Sequence, residues 1–305
     1  MAGPPRDFVG YGRSVPAAGW PGGARLALNL VLNYEEGSER SPLEGDGRSE
    51  GLGEVPRVVA GEGRDLATES VYEYGSRAGV FRLLRLCERL GVRVTFFAAA
   101  VALERNPEVG AWIREAGHEP CGHGWRWSED WLVPREEEAQ RIRQAVASIE
   151  RTCGTRPVGW YNRWMPSAHT RELLVEEGGF LYDSNAYNDD LPYYVPVLGR
   201  PHLVVPYTLA YNDVHYAYTT YSSPSAFVDT CRRAIDYLCR EGDEAPRMMS
   251  IGLHARWSGQ AGRASAVEEI VSHALSRGDV WVATRQEIAL RWREHCPPAP
   301  TGRVP

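Results

Sequence analysis

Long hydrophobic runs are missing from this 305-residue chain, and no apolar stretch approaches the ~20 residues of a membrane-spanning helix. Paired cysteines are missing as well. Cys87, Cys121, Cys153, Cys231, Cys239 and Cys296 are scattered without a C-x-x-C spacing, which points to reduced thiols rather than a disulfide framework. There is no basic tract: 34 basic against 40 acidic residues leave a net charge of −6, which excludes a nucleic-acid footprint and a polybasic membrane anchor. The opening "MAGPPRDFVGYGRSVP" lacks the basic-then-apolar order of a signal peptide, so a cytoplasmic protein is expected. A dinucleotide-binding glycine fingerprint is also lacking.

What is present alternates. Apolar runs at 24–33, 92–100, 157–162, 180–185, 202–208, 247–254 and 279–284 read as strands, and a short strand starts in 118–124. Between them, 75–91, 107–117, 134–154, 224–242, 264–278 and 285–295 read as helices, several stopped by glycine. Seven or eight β-α units in one chain, with no midpoint boundary, predict an α/β fold closed into a single barrel over residues 1–305. A long loop insertion is expected around 36–70 and a loose tail from about 296.

In a parallel β/α barrel the site lies where strands end and βα loops begin. Those ends carry Asn33-Tyr34-Glu35-Glu36, His123 before "GWRW", Tyr161-Asn162-Arg163-Trp164, Asp183-Ser184-Asn185 and His254-Ala255-Arg256-Trp257. Glu35 and Glu36 are candidates for a general base and its partner, or a solvated pair of loop acids. His123 and His254 are candidates for catalysis, against structural histidines. The tryptophans beside Arg163 and Arg256 fit a substrate wall or core packing equally well. His118 and His202 read as structural, Cys121 as a packing residue, and Asp189 and Asp190 as loop surface or site rim.

The segments "LNYEE", "GHEPCGHGWRW", "RPVGWYNR", "GGFLYDSNAYNDDLPYY" and "SIGLH" resemble, in order and spacing, the motifs of the polysaccharide deacetylase (NodB-homology) superfamily. With "PRDFVGYG" and "YEYGSRAGV", the chain is most similar to the uric-acid-pathway allantoinase branch. That resemblance implies a distorted (β/α)7-type barrel, hydrolysis of a carbon–nitrogen bond in a small molecule, and a homo-oligomer, often a tetramer. In metal-dependent relatives the first acid of the pair is the base, and the second holds zinc or a similar cation together with an H-x-x-x-H histidine pair. Here that pair reads His123-Gly124-Trp125-Arg126-Trp127, and an indole N–H cannot serve as the second ligand. No catalytic metal or other cofactor is therefore expected; a divalent cation is the alternative.

The resemblance implies Glu35, Glu36, His123 and His254 as catalytic residues, with His254 at the position of the family's second catalytic histidine. Trp127, Tyr161, Asn162, Arg163, Trp164, Asn185 and Arg256 would bind or wall the substrate. Without a cation, the chemistry favours a cyclic ureide or imide, whose departing nitrogen is stabilised by a second carbonyl, over an ordinary amide. The segments "YNRWMPSAHT" and "LHARW" are bulkier than that branch's loops, and Asn185 stands where it tends to carry an acid. These departures leave two alternatives: a metal-assisted deacetylase or deformylase of a small N-acyl compound, and an inactive barrel acting as a binding protein.

Overall fold

The computed structural model describes residues 4–51, 63–217 and 220–298. Strand β1 (Leu26–Tyr34) is the spine, and all nine of its residues are buried. Its apolar positions run on without alternation because both faces of a parallel sheet are covered in such a fold. Parallel β8 (Arg247–His254) follows one edge of β1, in register from Leu26 with Arg247 to Asn33 with His254. The other edge is shared: β9 (Val280–Val282) pairs with Leu26–Leu28, and β2 (Thr95–Ala98) with Val31–Tyr34.

From β2 the parallel sheet continues through β3 (Glu119–Gly122), β4 (Gly159–Trp160), β5 (Tyr182–Asp183) and β7 (Arg200–Val204). It ends on β6 (Tyr193–Val197), which is antiparallel to β7. The sheet curls strongly into a distorted α/β barrel.

Among the described residues, strand pairing does not cross from β8 to the β5–β7 side. Irregular chain fills that gap, with Asn212 bridging Gly252 and the Met248 N–H donating to the Asp190 carbonyl. Arg285, fully buried at the start of the last helix, spans it. Its guanidinium donates to Ser184 Oγ at 2.9 Å, Ser250 Oγ at 2.6 Å and the Pro206 carbonyl at 2.7 Å. One planar fork thus joins both sides of the gap, a geometry suited to guanidinium rather than ammonium.

The helix expected over 75–91 is longer. It starts at Leu66, where Asp65 accepts from the Thr68 N–H, and runs to Leu90 through a five-residue π-helical segment, Gly75–Gly79. The helix Arg135–Cys153 has glutamates in its first turn and Gly154 at φ 70° after its end, as its sequence pattern predicts. Unanticipated are β6 and the short helices Ala100–Arg105, Thr170–Glu177 and Ala255–Ser258. Such helices have too few turns to display a period, and β6 is a half-exposed edge carrying Pro196.

Of the expected insertion around 36–70, residues 36–51 form irregular chain with one 3-10 turn, and 52–62 lie outside the described residues. So does the expected tail from residue 299 onward. Among the described residues, no helix is long and apolar enough to cross a membrane. All six cysteines are free, and five are buried.

Candidate active site

Because the strands involved are parallel, their C-terminal ends share one rim, and the polar residues that follow them meet there. Glu35 follows β1, His123 follows β3, Tyr161 follows β4, and His254 ends β8. Glu35 is the hub. One carboxylate oxygen, Oε1, lies 3.3 Å from His123 Nε2 and 3.5 Å from His254 Nε2. The other, Oε2, accepts from Arg256 Nη1 at 2.8 Å. Glu36 turns the opposite way, accepting from the Glu35 N–H and the Arg256 N–H, each at 3.0 Å. All of these side chains are buried.

Both imidazoles are oriented from behind. His123 Nδ1 is 2.8 Å from the Tyr161 carbonyl oxygen, which can only accept, so Nδ1 carries a proton and Nε2 faces Glu35. The same ring stacks on Tyr161 at 5.1 Å. His254 Nδ1 is 2.6 Å from Asp213 Oδ1, and the His254 N–H donates to Asp213 Oδ2 at 2.7 Å. Ser258 donates to that second oxygen as well. Asp213 opens a short 3-10 turn and is fully buried.

The electrostatics sort the groups. Burial pushes the Glu35 carboxyl up, but Arg256 and then His254 outweigh it and hold it well below the usual carboxylate range. Burial also drives Glu36 upward; Arg256 opposes this and Glu35 adds to it, leaving the net shift upward. For His254, burial disfavours the charge, yet Asp213 and Glu35 prevail and raise its pKa to about 9. At neutral pH the pocket therefore holds an ionised Glu35 facing an imidazolium.

A π-helical segment fixes the floor. A Cβ on Gly75 would meet Glu36 Oε1 at 2.6 Å and the Arg256 backbone nitrogen at 2.9 Å; one on Gly79 would meet the Ala255 carbonyl oxygen at 2.1 Å. Only glycine lets this helix lie against Ala255–Ser258, the turn that carries Arg256.

The residues expected to contact substrate divide into groups. Arg256 sits beneath the carboxylates. Trp127 is buried, with the Arg163 guanidinium 3.7 Å over its ring. Arg163 is committed to Glu50 at 2.8 and 3.1 Å and to the Trp127 carbonyl at 2.9 Å. Asn162 and Asn185 brace each other, the Asn162 N–H donating to Asn185 Oδ1 at 2.8 Å. Asn185 Nδ2 is buried without a hydrogen-bond partner among the described residues. Tyr161 shares a hydrogen bond with Tyr187 at 2.7 Å, and Trp164 is 43% exposed at the rim. A cleft of about 260 Å³ opens beside this cluster, walled by Tyr187 and Tyr207. Tyr207 also packs edge-on against Tyr161. Asp213, Glu50, Tyr72 and Tyr207 were not anticipated.

The donors present do not fit a three-ligand zinc centre. Trp127 lies where a second histidine of the pair would stand, and its ring is packed against Tyr72 and both arginines. Arg256 already occupies one oxygen of Glu35. Among the described residues no group of three or more His, Cys, Asp or Glu side chains is arranged to hold a metal ion.

The polysaccharide deacetylase family model matches residues 67–172. A Schizosaccharomyces pombe protein described as "Putative polysaccharide deacetylase" is 38% identical, over 94% of this chain and 96% of its own length. Among solved structures, a "probable Polysaccharide deacetylase" of Pseudomonas aeruginosa PAO1 is 44% identical, with a TM-score of 0.92 and coverage of 96% of this chain and 99% of that one. PuuE allantoinase is 42% identical, with a TM-score of 0.93 and coverage of 97% and 99%. Similarity spanning nearly the whole length of both proteins, on top of a distorted barrel with its acid pair and histidines on one rim, places the chain in the polysaccharide deacetylase family of hydrolases.

Proposed function

We propose that this hydrolase opens a small cyclic amide, ureide or imide of the allantoin kind by general acid–base catalysis, without a metal ion. The observation that carries the reading is the geometry: Glu35 Oε1 faces His254 Nε2 at 3.5 Å, and their neighbours push the carboxyl pKa down and the imidazole pKa up. An acid and a base driven apart in pKa within one pocket is the arrangement such a reaction needs. The extensive likeness to PuuE allantoinase supports the substrate class.

In the proposed reaction, Glu35 Oε1 takes a proton from a water molecule as its oxygen attacks the ring carbonyl carbon. The tetrahedral intermediate collapses with cleavage of the carbon–nitrogen bond, and His254 Nε2 gives its proton to the departing nitrogen. The proton on Glu35 then passes to His254, restoring both groups. Asp213 holds the imidazolium in place, and His123, fixed by the Tyr161 carbonyl, orients water or substrate. Positioned acid–base groups contribute about 10²–10⁴-fold each. That suffices more readily for a ring whose leaving nitrogen bears a second carbonyl than for a plain acetamide. A homo-oligomer, which the motif resemblance in the sequence implies, is proposed with it.

The test is a substrate panel of allantoin, hydantoin, succinimide and N-acetyl or N-formyl compounds, each run with and without chelator. Ring opening indifferent to chelator supports the proposal. Chelator-sensitive acyl release replaces it with a metal-assisted deacetylase, and binding without turnover with an inactive barrel.

A further inference from the structure

Two adjacent glutamates that are both buried need compensating positive charge nearby, since an uncompensated buried carboxylate is strongly disfavoured. Arg256 supplies it. Its Nη1 is 2.8 Å from Glu35 Oε2 and 3.5 Å from Glu36 Oε1, and the side chain is fully buried. The rest of the guanidinium makes no hydrogen bond to any described residue: Nε and Nη2 are buried and unpartnered. Aromatic faces surround it instead, with its central carbon 4.3 Å from the Trp257 ring, 4.5 Å from Tyr72 and 5.4 Å from Trp127. A flat, weakly hydrated cation caged by aromatic rings is stabilised by their quadrupoles, which a compact ammonium would exploit less well. The chain makes this choice throughout, for all 34 of its basic residues are arginine.

We propose that Arg256 is a built-in cation that sits between Glu35 and Glu36 and, together with Trp127, excludes a divalent metal ion from the pocket. The inference rests on the metal-free reading above and goes further, because it names the residue that keeps the pocket so. The two residues act as one block. Trp127 withholds an imidazole ligand, and Arg256 takes up carboxylate charge and repels a second cation. Either one alone leaves part of the barrier standing. With both removed, Glu35, His123 and an imidazole introduced at position 127 would offer the mixed oxygen and nitrogen donors that suit zinc or cobalt(II).

The experiment compares the wild type with Trp127→His, Arg256→Met, the double variant, and Arg256→Lys combined with Trp127→His. Each is incubated with zinc or cobalt(II) and gel-filtered, then read by bound metal, cobalt absorption and melting temperature. The expected result is retention of roughly one cation by the double variant only. Zinc should also raise the melting temperature of the double variant and leave that of the wild type unchanged. Retention of cobalt by Trp127→His as tight as by the double variant overturns the inference. So does a double variant that takes up no cation. If the double variant does not purify folded, it is refolded with and without zinc: recovery only with zinc supports the inference, and failure in both sinks it. A stoichiometric cation in the wild type would overturn the metal-free reading too, whereas a metal-free wild type beside an unresponsive double variant overturns this inference alone.

Discussion

His254 and Asp213 are joined twice, once through the imidazole Nδ1 at 2.6 Å and once through the backbone N–H at 2.7 Å. A carboxylate bound at both points fixes ring orientation and tautomer together, and it keeps the second ring nitrogen protonated toward Glu35. Replacing Asp213 with asparagine removes the charge while nearly preserving the shape. For Asp213→Asn, kcat should fall by ~10²–10⁴-fold. Activity requires His254 to be protonated, so it is lost as pH rises through the folded-state value of about 9. Without Asp213 that alkaline limb should move to lower pH, and a kcat–pH profile run to pH ~10 checks this. An unmoved limb would refute the assignment of His254 as the acid.

The two glutamates should respond differently to the same substitution. Glu35→Gln removes the base and should lower kcat by ~10²–10⁴-fold, with little change in binding. Glu36 accepts two backbone N–H groups, one per oxygen, and a glutamine presents only one acceptor oxygen. Glu36→Gln should therefore cost about 1–3 kcal/mol of stability, measured by urea denaturation, from the buried N–H left unpaired. Equal losses of kcat with no loss of stability would put both carboxylates in the reaction instead.

Much of this barrel was legible because strands buried on both faces have an unbroken apolar signature. β1 and β8 stand out in that way, and the polar residue ending each run marks the rim. Glu35, His123 and His254 were accessible to that logic. Asp213 was not, since it comes from a short turn in "YNDVHY" whose approach to β8 depends on irregular chain filling the barrel gap. Arg256 was legible as a residue of the site, but its partners were not. A usable signal existed: two acids directly after a fully apolar strand require an internal cation, and Arg256 follows the strand that pairs with β1. Arg163 carried the same kind of hidden obligation, to Glu50 in the long loop.

Acid stability has a separate origin. Asp183 is fully buried; burial raises its pKa, but Arg171 and then His202 outweigh this and bring it from 3.8 to about 2. A depressed folded-state value adds stability that is complete above the unfolded value and is lost as pH falls through the folded one. This single group should account for roughly 2 kcal/mol that disappears between about pH 4 and pH 2. Asp183→Asn should cost about 2–3 kcal/mol at neutral pH by leaving the partly buried Arg171 without its carboxylate, and should flatten the acid slope. Urea titrations at several pH values measure both.

The π-helical segment gives a last prediction, which separates placement of the site from integrity of the fold. An alanine Cβ at position 75 would stand 2.6 Å from Glu36 Oε1, the end of a side chain, and 2.9 Å from the Arg256 nitrogen. Relief is available if Glu36 swings away, but that releases the Arg256 N–H and shifts the guanidinium that holds Glu35. At position 79 the obstruction is the Ala255 carbonyl oxygen at 2.1 Å, which is backbone and cannot swing. Gly75→Ala should therefore lower kcat by at least ~10-fold, as Glu35 loses its alignment, with a stability loss of about 1–3 kcal/mol. Gly79→Ala should be the more destabilising of the two, because the helix itself must move off the Ala255–Ser258 turn. Paired melting curves and steady-state kinetics distinguish them, and a Gly75→Ala enzyme with unaltered kcat would mean that Glu36 and Arg256 do not set the position of Glu35.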